Sequence, residues 1–459
     1  MRELTPEALV DPVAGIVRRV KDVRTPDDAP ASYTSMTAEV SDARRLGDWP
    51  ADRVSLGTTF GDRDGAWIAA VAEAMERYCG NYLPAQLPDD DHVISTRREL
   101  VASGRRPIGL DQLPQWAPWQ LERPGFEYEQ LGEDTPALWA RCQDSAHTGG
   151  DGTEFWWPSA LVHLNWRQRR LRHLPRVLHL NYAGIATGQG VDDATDRAVL
   201  EVIERDALEI WWHLGGPAVQ VDPATVPGLV EQMGDCRLEY WAVMMPSEFA
   251  PCAAALVRDP STGIYAAGFA CRNDPAEAVR KAMLEAVHTW IYTGGTVDAD
   301  GWVFQAVSAG LMAEGLYLRH RADARYLDDA GQQFERVRDL GAHVQIWQDP
   351  RTHDLADRFT DQGDPQPVSA FESVGMDEVY RRLRAAGHSV HIKDLTTSDV
   401  GLTSLRVVRA LVPGLVPNAP AAFAYLGSPR LLDAATERGW RAERPSLPED
   451  FTLVPPPHM

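Results

Sequence analysis

Three short words in this sequence carry acidic side chains at a spacing that could do chemistry. The first is AAVAEAMERYCG, with Glu73, Glu76 and Arg77; the second is AVLEVIERDALEIWW, with Glu201, Glu204 and Arg205. A third, KAMLEAVHTW, echoes them with Lys281, Glu285 and His288. Residues three apart share one face of a helix, so each glutamate pair presents two carboxylates together. Two such pairs on separate helices could surround hard cations, and magnesium in particular prefers oxygen ligands completed by nucleotide phosphates. The bland alternative is a solvated helix face or a structural Glu–Arg network, since Glu73–Arg77 and Glu201–Arg205 are i,i+4 pairs. The surroundings weigh against a solvated face. AWIAAVA and Met75 flank the first pair; Val199, Leu200, Val202, Ile203, Leu208 and Ile210 crowd the second. Carboxylates on mostly buried helices need pairing or a metal.

The elements that must position these words read as a mixture of helices and strands. Helices are expected from about Asp64 to Tyr78 and from about Asp192 to His213, and further helix near 304–320 and 376–387. The third word sits on a helix with a clear start: Asp274 as N-cap, Pro275 at the first helical position and Glu277 completing a capping-box pattern. Strand-like runs fall at 155–164, 177–184, 237–245, 253–259, 263–271, 342–348, 388–395 and 405–412. Residues 101–150, rich in Pro, Gly and Asp, read as loop or insertion. Strands and helices interleave without a strict βαβ rhythm, which predicts a mixed α/β (α+β) fold. Residues 1–54 form an opening segment, 55–440 a core and 441–459 a proline-rich tail. No tandem period is apparent.

The bulk composition excludes several classes. With 44% hydrophobic and 24% charged residues the chain has a globular profile. No apolar run is long enough to span a bilayer, and the acidic start lacks a secretory h-region. Five widely spaced cysteines, with no CxxC pair, suit a reducing cytoplasm and argue against a disulfide framework or a zinc site. The net charge of −21, from 66 acids and 45 bases, repels nucleic acid and anionic membranes. There is no P-loop motif, and GIATGQG (184–190) is explained as well by a strand-to-helix turn as by a nucleotide loop. His163, His179 and His391 lie on strand-like segments and read as packed residues.

At the three words the chain resembles the YcaO family, whose ATP site is built from the motifs S-x3-E-x-x-E-R, S-x6-E-x3-Q-x3-E-x-x-E-R and R-x3-E-x-x-Q. All three spacings are kept. DPVAGIVR resembles the family's opening, WWPSALVHLNW its mid-chain segment, and VHIKDLTTSDVG with LRVVRALVPGL its C-terminal block. The identities depart more than the spacing. Ala69 and Ala186 stand where the family has Ser, Asp193 replaces Glu, Arg197 replaces Gln, Lys281 replaces Arg and His288 replaces Gln.

The resemblance implies ATP and Mg2+ as cofactors. It makes Glu73, Glu76, Glu201, Glu204 and Glu285 the metal-binding acids. Arg77, Gln189, Asp193, Arg197, Lys281 and His288 become nucleotide contacts, and Arg205, Pro457 and Met459 catalytic positions. The implied reaction is phosphorylation of a peptide backbone amide after attack by a nucleophile, in azoline-forming members a Cys, Ser or Thr of the substrate. Thioamide or amidine formation, and a non-catalytic peptide-binding scaffold, stay open as alternatives. The tail PPPHM resembles the alternating proline tail of azoline formers and is expected to fold toward the acidic cavity. The partners implied are a ribosomal precursor peptide and, since the core fills the chain, a separate leader-binding protein of the E1-like (ThiF-like) type; a homodimer stays open.

Overall fold

The computed structural model describes residues 4–41, 54–84, 86–167, 169–313 and 315–459, without the side chains of residues 148 and 169. Three sheets organise it. The first has β1 (Val17–Asp22), β2 (Tyr33–Val40) and β3 (Val54–Phe60) in that order, all antiparallel. The second runs β4 (His92–Ser95), β5 (Ala137–Asp144), β12 (His391–Asp394), β13 (Leu405–Leu411) and β7 (Ile185–Gln189), with β6 (Glu154–Pro158) paired on β5. The third runs β11 (Tyr265–Cys271), β10 (Cys252–Arg258), β9 (Glu239–Met245) and β8 (Val219–Val221).

Each sheet feeds one long helix from its last-formed or edge strand. β3 leads into the helix Arg63–Asn81, β7 into Val191–Leu214 and β11 into Pro275–Gly294. The starts are set locally. Asp62 accepts from the Gly65 N–H, and Asp274 accepts from the N–H groups of Ala276 and Glu277 with Pro275 following it. Glu277 turns instead to Arg280, so the reciprocal half of the expected capping box is not made. Gly190, at φ 93°, makes the turn into the second helix that a side chain would strain.

A glycine sits where each of these strands crosses its helix. A Cβ on Gly57 would collide with the Ala66 carbonyl, on Gly188 with the Ala194 N–H, and on Gly268 with the Ala282 carbonyl. Small residues on both sides let strand and helix backbones touch. Each helix also reaches another unit's last strand: the first lies on β7, the second on β11 and the third on β3. The three units thereby close on one another around a common junction. Helix faces buried there include Ala70, Ala74 and Met75 of the first, Val199, Ile203 and Leu208 of the second, and Ala282, Met283 and Ala286 of the third.

Several expected elements differ. The run 155–164 is a strand only to Pro158, after which Ser159–Val162 form a helical turn. Segment 177–184 is irregular, and the Asn181 and Ala183 carbonyls are taken by Arg409. Segment 342–348 is helical, over His343–Ile346, following a turn that Asp339 caps. Helix near 304–320 shrinks to Trp302–Ser308, and residues 101–150 contain β5. The calls falling on residues 42–53 lie outside the described residues.

Candidate active site

The acidic words meet where the three units join. In each pair the first glutamate turns back to its own sheet. Glu73 Oε2 accepts from the Leu56 N–H at 2.7 Å, and Glu201 Oε2 accepts from the Gly184 N–H at 2.9 Å. The second glutamate crosses to the next unit. Glu76 Oε1 accepts from the Thr187 N–H of β7 at 2.8 Å, and Glu204 Oε2 from the Cys271 N–H of β11 at 2.9 Å. The third helix closes the ring with a different group: His288 Nδ1 lies 3.0 Å from the Tyr33 hydroxyl on β2. An i,i+3 pair can serve two sheets in this way because its members leave the helix on one face but a turn apart.

Three cations are interleaved with the acids. Arg77 Nη2 donates to Glu73 Oε1 at 3.1 Å, and Lys281 Nζ lies 3.1 Å from Glu285 Oε1. Arg205 sits between helices, 3.2 Å from Glu204 Oε1 and 3.5 Å from Glu201 Oε1. Burial and then the charge of Glu201 push the Glu76 carboxyl up to about 8. Burial likewise raises Glu204 to about 7, with Glu285 and Glu201 adding to it against the pull of Arg205. At Glu285 burial is outweighed by Lys281, His458 and Arg205, which hold the carboxyl at about 2.

Among the described residues, no three His, Cys, Asp or Glu side chains gather closely enough to hold a metal ion by themselves. The five carboxylates are strung along the junction, each of four with one oxygen committed to a backbone N–H. Magnesium on a nucleotide needs only one or two carboxylates, its other ligands being phosphate oxygens and water. The donor set suits such an ion pair of cation and anion. Two carboxyls are pushed up by burial and by neighbouring carboxylates, and the buried Arg205 Nε has no hydrogen-bond partner.

The remaining expected positions fall around this junction. Asp193 and Arg197 share the stripe of Glu201 on the second helix, paired with each other at 2.9 Å and open to solvent. Asp193 also accepts from the Gln189 N–H, and the Gln189 side chain accepts from Ser404. Arg77 lies over the Tyr182 ring at 4.4 Å. The tail runs along the third sheet: the Pro457 carbonyl accepts from the Ala267 N–H of β11, and the Pro455 carbonyl from Trp347 Nε1, both at 2.6 Å. His458 stacks edge-on against Phe269, and Met459 packs against the cluster of Tyr292, Val303 and Val344. Sequence reasoning missed the backbone donors, Tyr33 and Arg409. Arg409 is fully buried and binds the carbonyls of Val162, Asn181 and Ala183, which frames the Gly184 N–H offered to Glu201. The one available signal was an arginine in the middle of the apolar run VVRALV.

The three sheets and their long helices make a mixed α/β (α+β) fold that has counterparts among solved structures. A heterocyclase solved in complex with substrate and cofactor matches 99% of this chain and 57% of its own, with a TM-score of 0.70 at 16% identity. YcaO from Methanopyrus kandleri, bound with AMPPCP and Mg2+, matches at 0.51 over 88% of this chain and 90% of its own, at 16% identity. The E. coli microcin synthetase McbBCD complex matches at 0.53, over 91% of each chain and at 12% identity. An uncharacterized protein from Methanothermobacter thermautotrophicus is 26% identical over 51% of this chain and 55% of its own. The chain thus spans about half the length of that relative and of the first heterocyclase.

The family model described as "YcaO cyclodehydratase, ATP-ad Mg2+-binding" matches residues 60–416. The chain belongs to the YcaO family, whose cofactors are ATP and Mg2+. Among the described residues, no helix is long and apolar enough to cross a membrane.

Proposed function

We propose that this protein activates backbone amides of a ribosomally made peptide at the expense of ATP, closing Cys, Ser or Thr side chains into azolines. The observation that carries the reading is the junction itself: glutamates of two helices held by backbone N–H groups of neighbouring sheets, Glu285 of the third paired with Lys281, and a buried arginine between Glu201 and Glu204. Bound Mg2+ neutralises phosphate charge and aligns the transfer. Glu76, Glu204 and Glu285 are the residues placed to hold it. Arg205 offers its guanidinium charge and its Nε–H to the phosphates, and Arg77 and Lys281 flank them. Arg205 acts from a buried position held by Glu201 and Glu204, so its effect is larger than in water.

The tail supports azoline formation over thioamide or amidine formation. Its proline carbonyls are pinned to β11 and Trp347, and His458 contributes to the field at Glu285. Pro457, His458 and Met459 thus border the third helix, where a substrate amide would meet the nucleotide. The scaffold alternative rests on Ala69, Ala186 and Arg197, which remove neutral nucleotide contacts but leave every acid in place.

A leader-binding E1-like partner fits both the assembly of microcin synthetase as McbBCD and the greater length of the matched heterocyclase. The unpaired state of all five cysteines agrees with a cytoplasmic setting. The test is reconstitution of the full chain with a Cys-, Ser- and Thr-bearing precursor peptide, a leader-binding partner protein, Mg2+ and ATP. Peptide carrying 18O in the amide should lose one water per heterocycle, and the label should appear in the released phosphate. Unlabelled phosphate with unmodified peptide contradicts the reading.

A further inference from the structure

The third helix replaces the family's glutamine with His288, and this substitution comes with a partner from the first sheet. Lys281, Glu285 and His288 form one stripe, and between Ala282 and Trp290 only Glu285 and His288 are not buried. His288 Nδ1 faces the hydroxyl of Tyr33, 255 residues away and 6% exposed, in a cluster with Val279, Ala282 and Met283. Tyr33 also hydrogen-bonds to the buried Ser35, and burial raises its hydroxyl pKa well above the ordinary value. A phenol that stays protonated and receives the serine hydroxyl has its own O–H left to give. Given to Nδ1, it leaves the imidazole proton on Nε2.

We propose that Tyr33 is a positioning residue that fixes His288 as its Nε2–H tautomer, so that the imidazole presents to the nucleotide the N–H donor a glutamine amide would supply. The inference rests on the nucleotide reading given above. Neutral imidazole suits the role: burial keeps His288 down at about 4, and a donor with no net charge leaves the balance between Lys281 and Glu285 undisturbed. The same hydrogen bond ties the third unit to the first, as Glu76 ties the first to the second and Glu204 the second to the third. Nucleotide contact and ring closure therefore share one side chain, and Tyr33 serves both. A glutamine at this position would present its amide without needing Tyr33, so the two residues should be coupled.

The experiment uses the full chain and two readouts. Histidine labelled with 15N, assigned by difference from His288→Gln, should show Nε2–H in the parent and a shift toward Nδ1–H in Tyr33→Phe. Calorimetry with Mg2+ and AMPPCP should show about tenfold weaker binding in Tyr33→Phe, the scale of one lost hydrogen bond. It should show no further loss when Tyr33→Phe is added to His288→Gln. An unchanged tautomer in Tyr33→Phe overturns the proposal. An equal loss of affinity in both backgrounds overturns it as well, since Tyr33 would then act only through packing. If the parent binds no AMPPCP, the nucleotide reading falls, and the 15N spectrum alone decides whether Tyr33 sets the ring.

Discussion

Replacing Glu204 by glutamine should make the unliganded protein more stable and deaf to Mg2+ and ATP. Glu204 is 5% exposed, and its carboxyl is raised from an ordinary 4.5 to about 7. That rise corresponds to about 3 kcal/mol set against the charged form in the folded state. Glutamine keeps the shape and can still accept the Cys271 N–H while removing the repelled charge. Arg205 loses one partner but keeps Glu201, and Glu285 still contributes to its field, so the penalty for an unpaired buried cation is only partial. The balance favours the variant by about 1–3 kcal/mol above pH 7, a few degrees in Tm for a chain of this size. Mg2+ with ATP at a hundred times Kd should stabilise the parent by about 2.7 kcal/mol and the variant by much less. Thermal and urea unfolding at pH 8, with and without Mg2+ and ATP, read both effects. A variant about 3–5 kcal/mol less stable than the parent would refute the reasoning, because that is the cost of breaking a structural buried pair.

Four further outcomes follow from the same geometry. Glu76→Gln should abolish Mg2+-dependent nucleotide binding in calorimetry while leaving the circular dichroism spectrum unchanged; binding at parental affinity would count against a ligand role. Gly268→Ala should cost about 1–3 kcal/mol in urea unfolding, since a methyl there meets the Ala282 carbonyl with no room to move. Deleting residues 455–459 should stop peptide modification while AMPPCP binding persists, with a modest stability loss from the bonds to Trp347 and Ala267; modification at the parental rate would make the tail a bystander. His391 is held at about 4 by burial against an ordinary 6.5, so the unfolded chain takes up its proton first and stability falls as pH drops from 6.5 toward 4. His391→Gln removes that term, and its stability deficit against the parent should narrow by about 2 kcal/mol between pH 7 and pH 5.

The acidic words were legible in the chain because helical spacing is a local property. Glu73 and Glu76 share a face whatever the tertiary structure, and the Asp274–Pro275 start can be read from adjacent residues. What the carboxylates touch was not legible. Glu76 meets Thr187, 111 residues on, and Glu204 meets Cys271, 67 residues on, through backbone N–H groups that leave no mark in residue type. Each pair is shared between two sheets.

The strand errors have a similar origin. The apolar run 342–348 looks like a buried strand, yet the turn capped by Asp339 starts it as a helix. Residues 177–184 have strand-like composition, but the Arg409 guanidinium satisfies carbonyls that a ladder would otherwise take. The crossing glycines were visible as Gly57, Gly188 and Gly268. Their meaning appears only when a helix lies against each strand.

The central claim is that carboxylates of three helices and Arg205 form a site for ATP with Mg2+. Calorimetric titration of ATP into the full chain, with and without Mg2+, tests it most directly. The account predicts binding that requires Mg2+ and disappears in both Glu76→Gln and Glu204→Gln. Binding that is indifferent to Mg2+, or that survives in both variants, would contradict it.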